Sequence, residues 1–137
     1  MVELVLGLMS WIGAHSNYVM PTELPNLVFT TQHNMCALYG IEHKARCDAS
    51  GLKGFYDKNL TIYLGTDFDP ANKHHQSRLL HELVHYVQWK NSANHKTCLG
   101  QLEVEAYDVQ DHWRNEQGLA PILAEFNRIL LQASCDA

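Results

Sequence analysis

The sequence predicts an α+β fold: a small antiparallel sheet packed on a long helix, then a second long helix and a C-terminal helix. Three observations lead there. Runs rich in β-branched and aromatic residues lie before residue 65. Apolar residues recur at helical spacing from about residue 71 onward. Strands come first and helices follow, which is the α+β order rather than the alternation of α/β folds. The chain has 137 residues, about one domain's worth, and no repeat or long linker divides it, so one domain over 1–137 is expected.

The elements follow in order. Met1 to Gly13 is apolar, but Glu3 stands where a signal peptide's leading region carries Lys or Arg. No small-x-small cleavage pattern follows, so a short helix packed on the core is expected. His15 to Pro25 reads as a loop held extended by Pro21 and Pro25. Leu27 to Thr31 is a strand candidate, and residues 33–40 offer one or two helical turns ended by Gly40. Residues 41–51 are polar and read as a loop. Gly54-Phe55-Tyr56, a turn at Asp57-Lys58-Asn59 and Leu60 to Leu64 read as a hairpin. Asp69-Pro70 has the form of an N-cap followed by proline in the first helical position.

In the helix expected over 71–90, Leu80, Leu83, Val84 and Val87 fall on one arc. A second helix is expected over Gln101–Gln117, with Leu102, Ala106, Val109 and Trp113 on one face and Gly118 as terminator. Pro121 opens a third, with Ile122, Phe126, Ile129 and Leu130 expected to be buried. Trp11, Trp89, Trp113, Phe55 and Phe126 are expected in the core.

Composition removes several function classes. The chain is 46% hydrophobic and 18% charged with a formal net charge of −5, which argues against disorder and against a basic footprint for nucleic acid. The same charge disfavours an anionic membrane surface. No apolar run approaches the roughly 20 residues that span a bilayer. Cys36, Cys47, Cys98 and Cys135 form no C-x-x-C pair. Two disulfides in an extracytoplasmic protein are expected, and Cys36–Cys47 with Cys98–Cys135 is the most local pairing. The alternative is four buried thiols in a reducing compartment.

Nine histidines direct attention to metal or proton-transfer chemistry. His81-Glu82-Leu83-Val84-His85 is an H-E-x-x-H motif. On a helix His81 and His85 lie one turn apart on one side and can share an ion. Glu82 sits about 100° around from the first and reaches the edge of the same site. Shuffling this composition yields the motif in roughly 3 of 100 chains. Its place in an amphipathic helix, with a carboxylate-bearing helix after it, is therefore what gives it weight.

Catalytic zinc commonly takes three protein ligands. A third histidine in metzincin spacing is absent, since Gln88 and Asn91 hold the Gly and His positions. The next helix offers Glu103 and Glu105, which flank its core stripe, and periodicity does not choose between them.

Over roughly residues 70–115 the sequence resembles the gluzincins, zinc peptidases that combine H-E-x-x-H with a glutamate on a following helix. The likeness is to minimal single-domain members and to small bacterial H-E-x-x-H proteins with an E-x-E-A-Y helix. Their glutamate commonly has a small residue three positions later and Asp or Asn four positions later. Glu103 with Ala106 matches the first part, and Tyr107 stands at the last position. The resemblance implies a zincin-like domain with His81, His85 and Glu103 on Zn²⁺, Glu82 as general base and a peptide or protein as substrate. Tyr86, Tyr107 and His112 are the candidate donors to the developing oxyanion. By the same resemblance, strand 60–64 is the edge along which an extended peptide would bind.

His74 and Arg78 share the stripe of His81 and His85 and could line the cleft or meet a substrate carboxylate, while His75 and His95 are expected to be exposed. A non-catalytic zinc-stabilised binding module is the alternative, with His74, His112 or Glu105 closing the fourth position. A zinc hydrolase of non-peptide amides is a third reading.

Overall fold

The structure is a computed structural model that describes residues 1–57 and 60–136. Among these are six α-helices and three strands in an α+β arrangement. Helix α1 (Val2–Ala14) buries Val5, Leu8, Met9 and Ile12, one stripe at helical spacing. Strand β1 (Asn26–Thr30) leads into α2 (Gln32–Tyr39), whose first turn is capped by Thr31 and whose end is Gly40 in the left-handed region at φ 100°.

The segment 41–51, expected as a loop, contains α3 (Lys44–Ser50). Its apolar periodicity is too weak to read, because Cys47 is the one residue in it that is buried. The Cys36–Cys47 disulfide joins α3 to α2.

Strands β2 (Gly54–Tyr56) and β3 (Thr61–Gly65) pair antiparallel, as a hairpin requires; the expected turn residues Lys58 and Asn59 lie outside the described residues. The sheet as a whole is mixed rather than antiparallel. Its order is β1-β3-β2, and β1 runs parallel to β3 from Asn26↔Thr61 to Thr30↔Gly65. A parallel pair needs a crossover of a dozen or more residues. Helices α2 and α3 with β2 supply it, a connection hidden when 41–51 reads as loop.

The order also corrects the expected edge. Strand β3 is central and has partners on both sides, so β2 is the edge strand on the side of α4.

Helix α4 (Lys73–Lys90) is the centre of the molecule. It packs against α1, β2, β3 and α5, and its Leu79, Leu80, Leu83, Val84 and Val87 are at most 1% exposed. Its N-cap is Asn72, whose Oδ1 accepts from the backbone N–H groups of His74 and His75. Asp69 instead closes a preceding turn, accepting from Ala71 N at 2.9 Å. Proline 70 therefore lies in that turn and not in the helix.

Helix α5 (Leu99–Glu116) places Leu102, Ala106 and Trp113 in the core, with Gly118 just past its end at φ 76°. Helix α6 (Glu125–Ala133) begins later than Pro121 because the Asp111 carboxylate accepts from Ile122 N and Leu123 N and holds that segment extended.

The expected burial of α6 does not occur. Ile122, Phe126, Ile129 and Leu130 are all exposed, Phe126 to 69%. The helix is held instead by the Cys98–Cys135 disulfide, by an Arg128–Asp108 ion pair and by close backbone approach to Gly100. Of the remaining aromatics, Trp113 and Phe55 are buried, while Trp11 and Trp89 are half-buried. No helix among the described residues is long and apolar enough to cross a membrane.

A Cβ at Gly100 would lie 2.1 Å from the Leu131 carbonyl oxygen and 2.4 Å from Ser134 Oγ. Gly100→Ala is therefore expected to lower stability by about 1–3 kcal/mol through overpacking at the α5–α6 contact. Urea denaturation of the disulfide-intact protein measures this, and an unchanged midpoint would show that the two helices can separate freely.

Candidate functional site

One turn apart on α4, His81 and His85 bring their Nε2 atoms to 3.2 Å from each other. From the second turn of α5, Glu103 Oε1 lies 2.9 Å from His81 Nε2 and 2.6 Å from His85 Nε2. These three residues form a group whose ligand-type atoms converge on one point.

The far side of each imidazole is held by a buried amide. Gln110 Nε2 donates to Ser77 O at 3.0 Å and Ser77 Oγ at 2.8 Å, so its Oε1 is the end that faces His81 Nδ1 at 3.0 Å. Gln88 Nε2 donates to Leu102 O and Glu105 Oε1, so its Oε1 faces His85 Nδ1 at 2.8 Å. An amide oxygen only accepts, so each Nδ1 carries a proton and donates. Both Nε2 lone pairs then point at each other and at a carboxylate oxygen. Three electron-rich atoms within 3.2 Å require a positive centre, a proton or a metal ion, among them.

The residues fit a divalent ion. With bonds of 2.0–2.1 Å, ligand atoms of a tetrahedral site stand about 3.3 Å apart; the observed separations of 3.2, 2.9 and 2.6 Å are shorter, so the three atoms need to spread by less than about 1 Å to receive an ion. Without an ion, protons on the imidazoles fill the same place. Burial would raise the Glu103 carboxyl, but hydrogen bonds and charge from His81 and His85 override it and hold the group well below the usual carboxylate range. Burial disfavours the charged form of His85, yet the adjoining Glu103 and Glu82 carboxylates raise its pKa on balance.

The cluster opens into a cavity of about 730 Å³. Glu82, half-buried, lines it beside the two histidines, and burial pushes its carboxyl up against the pull of His81 and His85. The segment Gly51–Tyr56, which includes edge strand β2, forms the facing wall, and Arg78 contributes to the lining. A Cβ at Gly54 would come within 4.0 Å of Glu82 Cγ, so the edge strand runs close beside that carboxylate.

Of the three candidate donors, Tyr107 lines the cavity, its ring centred 4.5 Å from that of His81. Burial first, then the charges of Glu103, Glu82 and Asp111, keeps its phenol protonated. Tyr86 is a core residue, 1% exposed, donating to Glu23 O at 2.7 Å. His112 lies farther along α5 beside Glu116.

Glu105 does not join the histidines. It accepts from Gln88 and from the Tyr18 hydroxyl, and so steadies the amide that holds His85. His74 is exposed and accepts from Arg114 Nη2 at 3.4 Å. His95 is exposed as expected; His75 is half-buried, its Nδ1 accepting from Asp69 N.

Gln88 and Gln110 were not singled out by motif or resemblance. Their signal is in the periodicity: Gln88 lies three residues after His85, and Gln110 seven after Glu103, both on faces that are otherwise apolar or site-facing. Each accepts from the Nδ1–H of one histidine and so fixes the orientation of that ring.

The family described as a domain of unknown function, DUF6647, matches residues 1–137. The chain belongs to that family. No curated protein and no solved structure matches it.

Gln88 is fully buried, and replacing it by leucine would leave the His85 Nδ1–H without its acceptor and take one donor each from the Leu102 carbonyl and the Glu105 carboxylate. Gln88→Leu is expected to cost about 1–3 kcal/mol. Urea denaturation in the presence of a chelator isolates this term from metal binding. Wild-type stability in that variant would mean that water replaces the amide.

Proposed function

We propose that this chain is a zinc-dependent metallopeptidase of gluzincin type, acting on extended peptide outside the cytoplasm. The observation that carries the reading is the convergence of two tautomer-locked imidazole nitrogens and Glu103 on one point beside Glu82, in the wall of a cavity.

His81, His85 and Glu103 would hold the ion. Zinc bound there supplies Lewis acidity to a scissile carbonyl and lowers the pKa of a water toward about 7. The Glu82 carboxylate accepts the proton of the attacking water as its oxygen bonds to the carbonyl carbon. It then delivers that proton to the amine nitrogen as the C–N bond breaks. Tyr107, kept protonated, donates to the developing oxyanion. The outer edge of β2 can pair with an extended substrate backbone alongside these groups.

A structural zinc site closes its fourth position with protein. Among the described residues His74, His112 and Glu105 all stand away from the group, which favours a catalytic over a purely structural ion. The two disulfides, Cys36–Cys47 and Cys98–Cys135, support an oxidising, secreted or periplasmic location.

Metal analysis beside a peptide-library digest tests the reading. Glu82→Gln is expected to keep its metal and to lose about 10²–10⁴ in turnover, whereas His81→Ala loses metal and turnover together. Full turnover by Glu82→Gln would overturn the mechanism. A folded, metal-loaded wild type that cleaves no member of the library would leave the binding module as the better account. Tyr107→Phe is expected to lower kcat by about 10²-fold with KM little changed; a change confined to KM would make Tyr107 a binding residue only.

A further inference from the structure

We propose that His15, His112 and Glu116 form a second divalent-metal site, which ties the end of α1 to the last turns of α5. It rests on none of the groups assigned to the peptidase site. Glu116 Oε2 lies 3.3 Å from His112 Nε2 and 3.5 Å from His15 Nε2, and the three ligand-type atoms lie within 4.8 Å of one another.

The cluster is held in place by Trp11. Its indole N–H donates to Glu116 Oε1 at 3.1 Å, which leaves Oε2 facing the imidazoles. Its carbonyl oxygen lies 2.8 Å from His15 Nδ1, and a carbonyl only accepts, so that nitrogen carries the proton and Nε2 presents its lone pair to the carboxylate. The Trp11 and His15 rings are stacked with centroids 4.0 Å apart, so the imidazole cannot turn away without losing that contact. His112 and Glu116 are one helical turn apart, the same spacing that lets His81 and His85 share a point.

Two imidazoles and one carboxylate suit a borderline cation such as Zn²⁺, Ni²⁺ or Cu²⁺, and not Ca²⁺ or Mg²⁺, which prefer oxygen. All three residues are exposed, so water completes the coordination. Glu116 lies thirteen positions after Glu103 on α5. At 1.5 Å per residue that is about 20 Å, which makes the two sites independent. Trp11 and His15 come from the N-terminal helix region, and the indole reaches Glu116 across 105 residues of sequence. An ion here would therefore cross-link distant parts of the chain and raise the melting temperature.

The test is Zn²⁺ and Ni²⁺ titration of the full, chelator-stripped chain by calorimetry, with folding checked by circular dichroism. Wild type is expected to bind two equivalents. His112→Ala and Glu116→Gln should each remove one, or weaken it more than about tenfold, while His95→Ala, an exposed histidine outside the cluster, changes nothing. His81→Ala/His85→Ala should retain one equivalent that His112→Ala then abolishes. If that double variant fails to fold, the exposed-site variants in the wild-type background decide alone. Unchanged stoichiometry and affinity in His112→Ala and Glu116→Gln would overturn the second site, as would a wild type whose single equivalent is lost in His81→Ala. A single equivalent lost in His112→Ala but kept in His81→Ala would instead sink the first site and leave this one standing.

Discussion

The site is organised by the packing of α4 on α5 through two buried glutamines. Gln88 and Gln110 each turn their NH₂ end toward main-chain or side-chain acceptors and their oxygen toward a histidine. That orientation decides which imidazole nitrogen carries a proton. Once it is decided, two lone pairs and a carboxylate oxygen must share a point, and the chemistry open to the site follows. Substituted by apolar residues, the same helices could still pack, but the imidazoles would be free to turn and to exchange tautomers.

Such a network is costly to bury unless it is complete. Ser77, fully buried on α4, accepts from Gln110 and from Arg114, and Arg114 also donates to the Ala120 carbonyl. On the other flank Tyr18 and Gln88 both donate to Glu105. Each histidine thus stands at the end of a chain of satisfied donors that reaches back into the fold. The apolar arc of α4, with Leu80, Leu83, Val84 and Val87, supplies burial that holds the helix in place while its other face carries polar groups.

Around this pair the rest of the chain makes walls and ties. The β1–β3 parallel pairing leaves β2 at the edge beside α4, which puts a short unpaired strand edge next to Glu82. The disulfides act on the least buried parts. One joins α2 to α3, where Cys36, Cys47 and Met35 are the buried residues, and the other anchors the C-terminal end beyond α6, a helix with no buried residue. Cross-links of this kind restrict the unfolded chain where core burial contributes little.

Local pattern was enough for much of this. The apolar arcs of α4 and α5 and the terminators Gly40 and Gly118 depend on neighbours within a few positions, which sequence spacing records directly, and the cysteines pair with their nearest partners along the chain. Spacing also put His81, Glu82 and His85 on one helix. What it left open depended on contacts between distant segments. Glu103 and Glu105 are equivalent on a helical wheel, and the crossing of α5 over α4 brings the first to the histidines and turns the second to Gln88 and Tyr18. The mixed sheet depends on a crossover through α2, α3 and β2, and the periodicity of α3 is too weak to read. The exposure of Phe126, Ile129 and Leu130 arises because α6 meets α5 through backbone at Gly100 and through Arg128 rather than through its apolar stripe. A sequence specifies which face of an element is apolar; only the assembled fold decides whether another element comes to cover it.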